Sequence, residues 1–342
     1  MINYICITFE FTSNLKHLSQ HGDIMIFNEK SYKGHLVMSI AYVIFGLNIP
    51  IVKSVFGVGG ISGLSVTFYR MAGAAVLFWI ASIFVKKERV ARRDIPIIFL
   101  ASLFGIFINQ TCFVVGVSLT SPIDASVITT LVPMITMVLS ALFLREPITW
   151  KKALGVVTGA AGALMLILGG GALSGRGGAS ISGDLLCVAS AISFSLYLTL
   201  FKRLINAYSP ITLMKWMFLF AAICSVPVCW DDVVAVDYSA LGWDIWLSLG
   251  FIVAGATFTT FLLIPIGQRY LRPTVLAMYN YLQPTIAAAV AIAAGMDTFG
   301  FTKGLATVLV FLGVWLVTRS KSRAEVEKGG DRKGSPPNRQ VS

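Results

Sequence analysis

Long apolar runs follow one another along almost the whole chain, separated by short polar stretches. A membrane-spanning helix needs about 20 mostly apolar residues, because the hydrocarbon core is about 30 Å thick and each residue rises about 1.5 Å. The runs predict ten spanning helices, near residues 35–55, 62–84, 95–117, 122–144, 150–169, 183–201, 210–230, 244–268, 273–294 and 302–318. They lack the strict alternation of membrane-barrel strands, so the pattern predicts an all-α integral membrane protein.

The composition agrees with a membrane protein. Of 342 residues, 13% are charged and 56% hydrophobic, and the mean hydropathy is +0.80, whereas soluble proteins are about 25% charged. The five cysteines are odd in number and scattered, which excludes a disulfide scaffold. The net charge of +11 is spread between apolar runs rather than along one basic surface, so no nucleic-acid partner is expected.

Both ends of the chain lie outside this pattern. Residues 1–33 contain a short apolar run interrupted by Glu10, without the basic start of a signal peptide, and we expect an N-terminal cytoplasmic extension. Either Met1 or Met25 is compatible with the start of translation. Residues 319–342 are charged and rich in Gly, Pro and Ser, which predicts a disordered cytoplasmic tail.

The basic residues predict the orientation, because Lys and Arg concentrate in cytoplasmic loops. Twenty-two of the 27 lie before the first helix, after an even-numbered helix or in the tail. Lys53, Arg176 and Lys303 fall on the other side, and Arg70 and Lys215 lie within helices. We therefore expect a multi-pass protein of the cytoplasmic membrane with both termini in the cytoplasm.

The two halves of the chain are similar to each other. A shift of 151 residues superimposes several helix-breaking or small residues, namely Pro122 on Pro273, Pro133 on Pro284 and Gly162 on Gly313. A shift of 145 places Arg70 on Lys215. The sequence thus predicts one repeat at 34–169, an extracytoplasmic Gly-rich linker at 170–182 and a second repeat at 183–318. Because five helices is an odd number, the second repeat must be inverted, as in many secondary transporters.

With these features the chain resembles the EamA-type permeases of the drug/metabolite transporter superfamily. The residues that carry the resemblance are Phe45-Gly46-Leu47-Asn48, Arg70, the Pro122-to-Pro133 helix with Leu144-Arg145-Glu146-Pro147 after it, and the Gly155-to-Gly169 helix. Met296-Asp297-Thr298 departs from the Gly-Glu pair usual there. The resemblance implies ten helices in two inverted repeats, with helices 1–4 and 6–9 around a central cavity and helices 5 and 10 at the periphery. It also implies transport of small metabolites, often the export of amino acids or related compounds.

Arg70 is the first candidate for substrate binding, since a charged side chain inside a membrane normally faces a cavity or a partner. It lies about nine residues into the second predicted helix, which is about 13 Å from the outer end. There it could hold a substrate carboxylate with two hydrogen bonds. A structural role, in which it binds helix-end carbonyls, is an equal alternative.

Further polar residues lie at similar depths. The residues predicted to bind substrate are Asn48, Arg70, Asn109, Gln110, Thr130, Tyr279, Asn280 and Gln283. Thr259 and Thr260 lie at a similar depth in the eighth helix. Pro133 and Pro284 each remove a backbone hydrogen bond, which predicts hinges for alternating access. Asp124 is the candidate proton site, although a carboxylate at a helix start can also cap exposed N–H groups. Helix–helix hydrogen bonds are the alternative role for the uncharged residues.

These patterns favour a secondary transporter that moves a small polar metabolite, an amino acid or related compound, by alternating access, with export as the expected direction. The alternatives are a membrane-embedded lipid-modifying enzyme and a channel. The chain has no His-x-x-His pairing and no cysteines at metal-binding spacing, so neither catalysis, a metal nor a cofactor is expected. The expected partners are the small-molecule substrate and the lipid bilayer, and a homodimer is left open.

Overall fold

In a computed structural model, which describes residues 29–144, 150–172, 181–270, 279, 282–298 and 300–318, the chain is helical and no strand occurs among these residues. The main helices of the described part are α1 (Glu29–Val55), α2 (Gly63–Ala81), α3 (Ile95–Ser102, Leu103–Ile108 and Asn109–Leu119), α4 (Pro122–Thr129 and Val132–Leu144), α5 (Trp150–Ala172), α6 (Ile181–Leu200), α7 (Pro210–Val234), α8 (Trp243–Gly250, Phe251–Thr259 and Thr260–Tyr270), α9 (Leu282–Ala293) and α10 (Phe301–Thr318). The connections include a short helix at Lys202–Ala207 and single turns at Val58–Gly60, Arg92–Asp94 and Tyr238–Ala240.

The predicted all-α membrane fold is confirmed. Within the described residues, seven helices are long and apolar enough to cross a membrane, by length and composition. These are α1 to α4 and α6 to α8, and shorter apolar segments lie in α5, α9 and α10. The predicted start of the ninth helix, near residue 273, lies outside the described residues.

A serine side chain caps the first turn of several helices. The Ser62 hydroxyl accepts a hydrogen bond from the Ser65 N–H at the start of α2, and each side chain bonds the other residue's backbone. At α4 the Ser121 hydroxyl accepts from the Asp124 N–H, and Pro122 occupies the first helical position. Ser and Pro are favoured at these positions because the cap satisfies an N–H group that has no partner within the helix, and proline has no N–H to satisfy.

Two π-helical segments interrupt α3 and α8 at equivalent places of the two repeats. They are Leu103–Ile108 and Phe251–Thr259, whose first residues are 148 positions apart. This separation is close to the shifts that align the two halves in sequence. Single-turn π segments are rare and frequently occur at functional sites, because they widen the helix and change which side chains face a neighbour. The duplication has thus preserved an uncommon backbone feature.

We name the two ends of the helix bundle by their charges. The basic end carries the 86–93 loop together with Lys202 and Arg203, and the acidic end carries Asp231, Asp232 and Asp237. At the acidic end the Asp237 N–H donates to the Gly59 carbonyl at 2.8 Å, which joins the loops of the two repeats. Gly59 has φ +57°, and a Cβ there would lie 2.8 Å from the Asp237 carbonyl oxygen, so only glycine suits this contact.

The helices α5 and α10 form a closely packed pair beside the other helices. They contact each other along much of their length, and α10 also contacts α4. Gly159, Gly162 and Gly313 lie in this interface, where the backbones approach too closely for larger residues. This arrangement agrees with the peripheral position that the family resemblance implied for helices 5 and 10.

Candidate functional site

The buried apolar residues form two hydrophobic clusters with a polar layer between them. The first cluster extends to the acidic end and includes Ile49, Val66, Val114, Ile128 and Ile252. The second extends to the basic end and includes Met71, Phe78, Ile106, Met217 and Phe218.

Polar residues occupy the positions between the clusters on four helices. The polar layer consists of four residues, Arg70, Gln110, Ser190 and Thr257. Each lies along its helix between a residue that packs in the first cluster and one that packs in the second. In the same order, these flanking pairs are Val66 and Met71, Val114 and Ile106, Val188 and Phe194, and Ile252 and Phe258. These residues come from α2, α3, α6 and α8, and therefore from both repeats. Burying polar groups in a membrane protein is costly unless they are paired or serve a ligand, so this layer is the candidate site.

Arg70 is the most deeply buried charge in the polar layer, with 1% of its surface exposed. Its Nε donates a hydrogen bond to the Thr257 hydroxyl at 3.0 Å, and the same hydroxyl donates to the Ile252 carbonyl at 2.8 Å. Its Nη1 is buried and has no hydrogen-bond partner. A buried guanidinium with an unused donor is expected to bind an acceptor from elsewhere, and a carboxylate fits its geometry best.

Two amide side chains add unused acceptors. Gln110 and Asn48 are 6% and 2% exposed, and Gln110 Oε1 and Asn48 Oδ1 are both buried without a hydrogen-bond donor. Next to Asn48, Gly46 lets α9 approach α1, since a Cβ at Gly46 would lie 2.6 Å from the Ile286 Cβ. A ligand that satisfies these oxygens must supply N–H or O–H groups.

Asn109 and Thr130 use their polar groups within the protein. The Asn109 Nδ2 donates to the Ser190 carbonyl at 3.1 Å and to the Ser190 hydroxyl at 2.9 Å, which joins α3 to α6. The Thr130 hydroxyl donates to the Val127 carbonyl in its own helix. Both side chains therefore support the helices around the polar layer, and a direct contact of either one with substrate stays a prediction.

The predicted hinge at Pro133 coincides with an interruption of α4. The first segment ends at Thr129 and the second begins at Val132, so Pro133 is the second residue of the new segment. The Ser195 hydroxyl of α6 lies 3.2 Å from the Val132 carbonyl at the break and 2.7 Å from the Ala191 carbonyl in its own helix, so its one proton is shared between two acceptors. Pro284 is buried near the start of α9. Movement at either proline stays a prediction.

Tyr279 and Gln283 both lie next to residues of α1. The Tyr279 hydroxyl hydrogen-bonds the His35 Nδ1 at 2.8 Å and donates to the His35 carbonyl at 3.2 Å. Gln283 is half-buried, and its backbone carbonyl oxygen would lie 3.0 Å from a Cβ added at Gly46. Asn280, predicted with them, lies outside the described residues.

Thr257 belongs to the polar layer but was not among the predicted residues, because Thr259 and Thr260 lie nearer the depth expected for a substrate site in the eighth helix. In the structure the Thr259 hydroxyl donates to the Ala254 carbonyl and that of Thr260 to the Ala256 carbonyl. The π segment changes the register of α8, so that Thr257 faces Arg70. The signal that could have found it is the position of Thr257 next to the Gly255-Ala256 pair, where a helix can widen.

The candidate proton site, Asp124, lies apart from the polar layer, at the acidic end. Its residue is completely buried, and its Oδ2 is 3.4 Å from the Lys303 Nζ. Among the described residues, no group of three or more His, Cys, Asp or Glu side chains could hold a metal ion. The polar layer offers buried hydrogen-bond donors and acceptors to which a ligand could bind.

The fold and the polar layer together define a multi-pass integral membrane protein built from two helical repeats. The chain belongs to the EamA-like transporter family, whose family model matches residues 32–168 and again residues 181–319. It is therefore a membrane transporter and not an enzyme, as the sequence predicted.

Three relatives match most of the chain, and two of them are named as transporters. A protein named as an uncharacterized transporter from Archaeoglobus fulgidus is 28% identical and covers 84% of this chain and 100% of its own length. The uncharacterized transporter YyaM of Bacillus subtilis is 24% identical over 81% of this chain and 91% of its own. The WAT1-related protein At5g64700 of Arabidopsis thaliana is 26% identical over 89% and 94%.

A solved structure has the same fold. It superimposes with a TM-score of 0.59 at 18% sequence identity, covering 84% of this chain and 98% of its own. At this identity the likeness concerns the fold alone.

Proposed function

We propose that this transporter carries a small polar metabolite, an amino acid or a related zwitterion, across the cytoplasmic membrane by alternating access, in the direction of export. The observation that carries the proposal is the buried Arg70 Nη1 without a hydrogen-bond partner. A guanidinium that is ready for a ligand favours a substrate with a carboxylate. The export direction rests on the EamA-type resemblance.

Two buried acceptors without donors, one of them in the polar layer, favour a second polar group on the substrate. Gln110 Oε1 and Asn48 Oδ1 have no donors, and an ammonium group supplies three. A molecule with a carboxylate for Arg70 and an ammonium for these oxygens is an α-amino acid or a close relative. A polar layer built from both repeats also supports alternating access, since the substrate site of inverted-repeat carriers lies between their halves.

The charge distribution supports a cytoplasmic position for the basic end. The exposed cations Lys86, Lys87, Arg89, Arg92 and Arg93 lie in one loop there. Positive loops are retained in the cytoplasm during insertion, which supports a cytoplasmic position for both termini. A reporter fused to either terminus, active only in the cytoplasm, tests this orientation.

Binding measurements on the purified protein in nanodiscs test the substrate class. The probes are a panel of amino acids, each with its decarboxylated amine and its deaminated carboxylic acid. We expect binding of one or more amino acids and loss of binding for the matched amine, because Arg70 then has no anion to bind. Arg70→Gln is expected to weaken binding by about tenfold to hundredfold, since a hydrogen bond to a charged group contributes about 1.5–3 kcal/mol.

The matched control is Arg93→Gln, because the Arg93 side chain is 84% exposed at the basic end. It is expected to leave the affinity unchanged. Equal binding of amino acids and of their amines, or an unchanged affinity in Arg70→Gln, would contradict the proposed site. Counterflow of the bound amino acid in proteoliposomes of known orientation then tests transport and its direction.

A further inference from the structure

A second set of buried polar groups lies at the acidic end, outside the polar layer. Five charged residues meet there, which we call the buried ion network: Lys53, Asp124, Asp184, Asp297 and Lys303. They come from α1, α4, α6, the segment before α10, and α10. Because α4 belongs to the first repeat and α10 to the second, the network joins the two halves of the transporter.

Lys303 directs its hydrogen bonds away from Asp124. Its Nζ donates to the Ser121 hydroxyl at 2.9 Å and to the two Asp297 carboxylate oxygens at 2.8 and 3.0 Å. The Asp124 Oδ2 is 3.4 Å from the same Nζ, an ion-pair contact without a hydrogen bond. Lys303 therefore compensates the charge of Asp297 more fully than that of Asp124.

Lys53 is occupied by the backbone. Its Nζ donates to the carbonyls of Val117, Ser118 and Thr120 at 3.0, 2.8 and 2.8 Å, which are the orphan acceptors at the end of α3. An ammonium group has three N–H donors, so these bonds use all of them. Lys53 thus has no hydrogen bond left for a carboxylate.

The network holds more negative than positive charge if every group is ionised, since three carboxylates face two ammonium groups. Asp184 receives one hydrogen bond, from the Thr120 hydroxyl to its Oδ1. Its Oδ2 and both oxygens of Asp124 are buried without a donor, and both residues are completely inaccessible. A buried carboxylate without donors is strongly disfavoured, and a bound proton removes the excess charge.

From this geometry we propose that the buried ion network is a proton-binding site, in which the carboxyl pair Asp124 and Asp184 carries one exchangeable proton. Lys303 on α10, Asp297 before α10 and Asp184 on α6 interact electrostatically with Asp124, as does Cys187 on α6. Lys53 on α1 interacts with Asp297 and Cys187. In this site Asp124 is the predicted proton-binding residue, Asp184 is the second carboxyl, and Lys303 supplies the counter-charge.

In the sequence, neither carboxyl of the pair has an acidic counterpart in the other repeat. The shift of 151 residues places Val275 at the position of Asp124, and the shift of 149 places His35 at that of Asp184. Opening the acidic end would separate Lys303 of α10 from Ser121 and Asp124 of α4 and admit water to both carboxyls. Proton release is thereby linked to one conformation of the carrier, a link that rests on the proposed function.

Infrared spectroscopy of the purified protein in nanodiscs tests the proton directly, without a substrate. At neutral pH the native protein is expected to show a carboxylic-acid C=O band that shifts in D₂O. Asp124→Asn and Asp184→Asn are each expected to lose or displace this band, because each removes one carboxyl of the pair. Asp244→Asn, at an exposed position of the same end, is the matched control and should keep it.

Two results would overturn the proposal. One is a neutral-pH spectrum in which neither Asp124→Asn nor Asp184→Asn changes the carboxylic-acid region. The other is a native spectrum without a carboxylic-acid band at neutral pH, which would show that every carboxyl of the network is ionised. If one variant fails to fold, the second variant and the pH titration of the native band still decide. A band without binding of any amino acid would leave the proton site intact and contradict only the proposed substrate.

Discussion

Arg70 of α2 donates a hydrogen bond from its Nε to the Thr257 hydroxyl of α8 at 3.0 Å, so one contact links the first repeat to the second. Thr257 lies in the π segment of α8, and its hydroxyl in turn donates to the Ile252 carbonyl five residues earlier. The backbone irregularity thus holds the acceptor that orients the guanidinium, while Nη1 is left for a ligand.

Replacing Arg70 by methionine distinguishes a substrate-binding arginine from a structural one. A buried charge with an unused donor costs stability, and replacing such groups with apolar residues is often neutral or stabilises by about 1–4 kcal/mol. We expect Arg70→Met to melt at the same or a higher temperature than the native protein while losing amino-acid binding. A fall of several degrees in the melting temperature would instead support a structural role for Arg70.

Lys53→Met provides the contrasting case. Lys53 is also a cation on a membrane helix, but its three donors bind the end of α3. Losing them leaves the carbonyls of Val117, Ser118 and Thr120 without these partners, at an expected cost of about 2–3 kcal/mol. Thermal melting should show a clear decrease, and Lys202→Met, at an exposed lysine of the basic end, should show none. Equal melting of the two variants would refute the capping role.

Thr257→Val tests the link between the repeats. Valine keeps the shape but leaves the Arg70 Nε without an acceptor, which is expected to cost about 1–3 kcal/mol. Thr257→Ser keeps the hydroxyl and should retain most of the stability. In the double variant with Arg70→Met the guanidinium is absent, so the cost of Thr257→Val should become smaller. Strictly additive changes in the unfolding free energy would mean that the two residues are not coupled.

Much of the fold could be predicted from the sequence, because the thickness of the bilayer fixes the length of a spanning helix. The start of α4 is also local information, since Ser121 and Pro122 are a cap and a first-turn residue. The buried position of Arg70 followed from its place in an apolar run, and the structure adds that one of its donors has no partner.

The rest depends on contacts between distant segments, which no local pattern contains. Lys303 lies at the start of the tenth helix, as the pattern predicted, but its hydrogen bond to Ser121, 182 residues away, has no local signal. Thr257 faces Arg70 because a π segment shifts the register of α8, whereas Thr259 and Thr260 were the residues expected at that depth. The orientation of Asn109 toward Ser190 likewise depends on how α3 packs against α6.

Glu88 is expected to make stability at the basic end depend on pH. Its Oε2 accepts hydrogen bonds from the Ser209 N–H at 3.0 Å and the Ser209 hydroxyl at 2.7 Å. Partial burial alone raises a carboxyl pKa, but the hydrogen bonds from Ser209 and Thr212 outweigh it and hold the pKa of Glu88 below its ordinary value. A depressed pKa in the folded state contributes stability above the unfolded pKa, and this contribution disappears as the pH falls through the folded pKa.

The measurement compares melting temperatures of the native protein and Glu88→Gln across pH. Above the unfolded pKa of about 4.3 the variant should melt lower by about 2 °C, a loss of about 1 kcal/mol, and the difference should vanish once the pH lies below the folded pKa. Asp231→Asn changes an exposed carboxylate at the opposite end and is the control. A difference that stays constant or grows as the pH falls would contradict the role of Glu88.

Gly313→Ala tests the packing of α5 against α10. A Cβ at Gly313 would lie 2.6 Å from the Gly155 carbonyl oxygen and 2.6 Å from the Gly159 nitrogen, so the two backbones must separate to admit it. Overpacking of this kind costs about 1–3 kcal/mol, and the melting temperature should fall. Gly250→Ala is the matched control, because a Cβ there has nothing within 4 Å and alanine favours a helix by up to about 1 kcal/mol.

Since no member of the polar layer lies on α5 or α10, amino-acid affinity at a temperature where both variants are folded should equal that of the native protein. A weakened affinity in Gly313→Ala would show that the packing of this helix pair also shapes the polar layer.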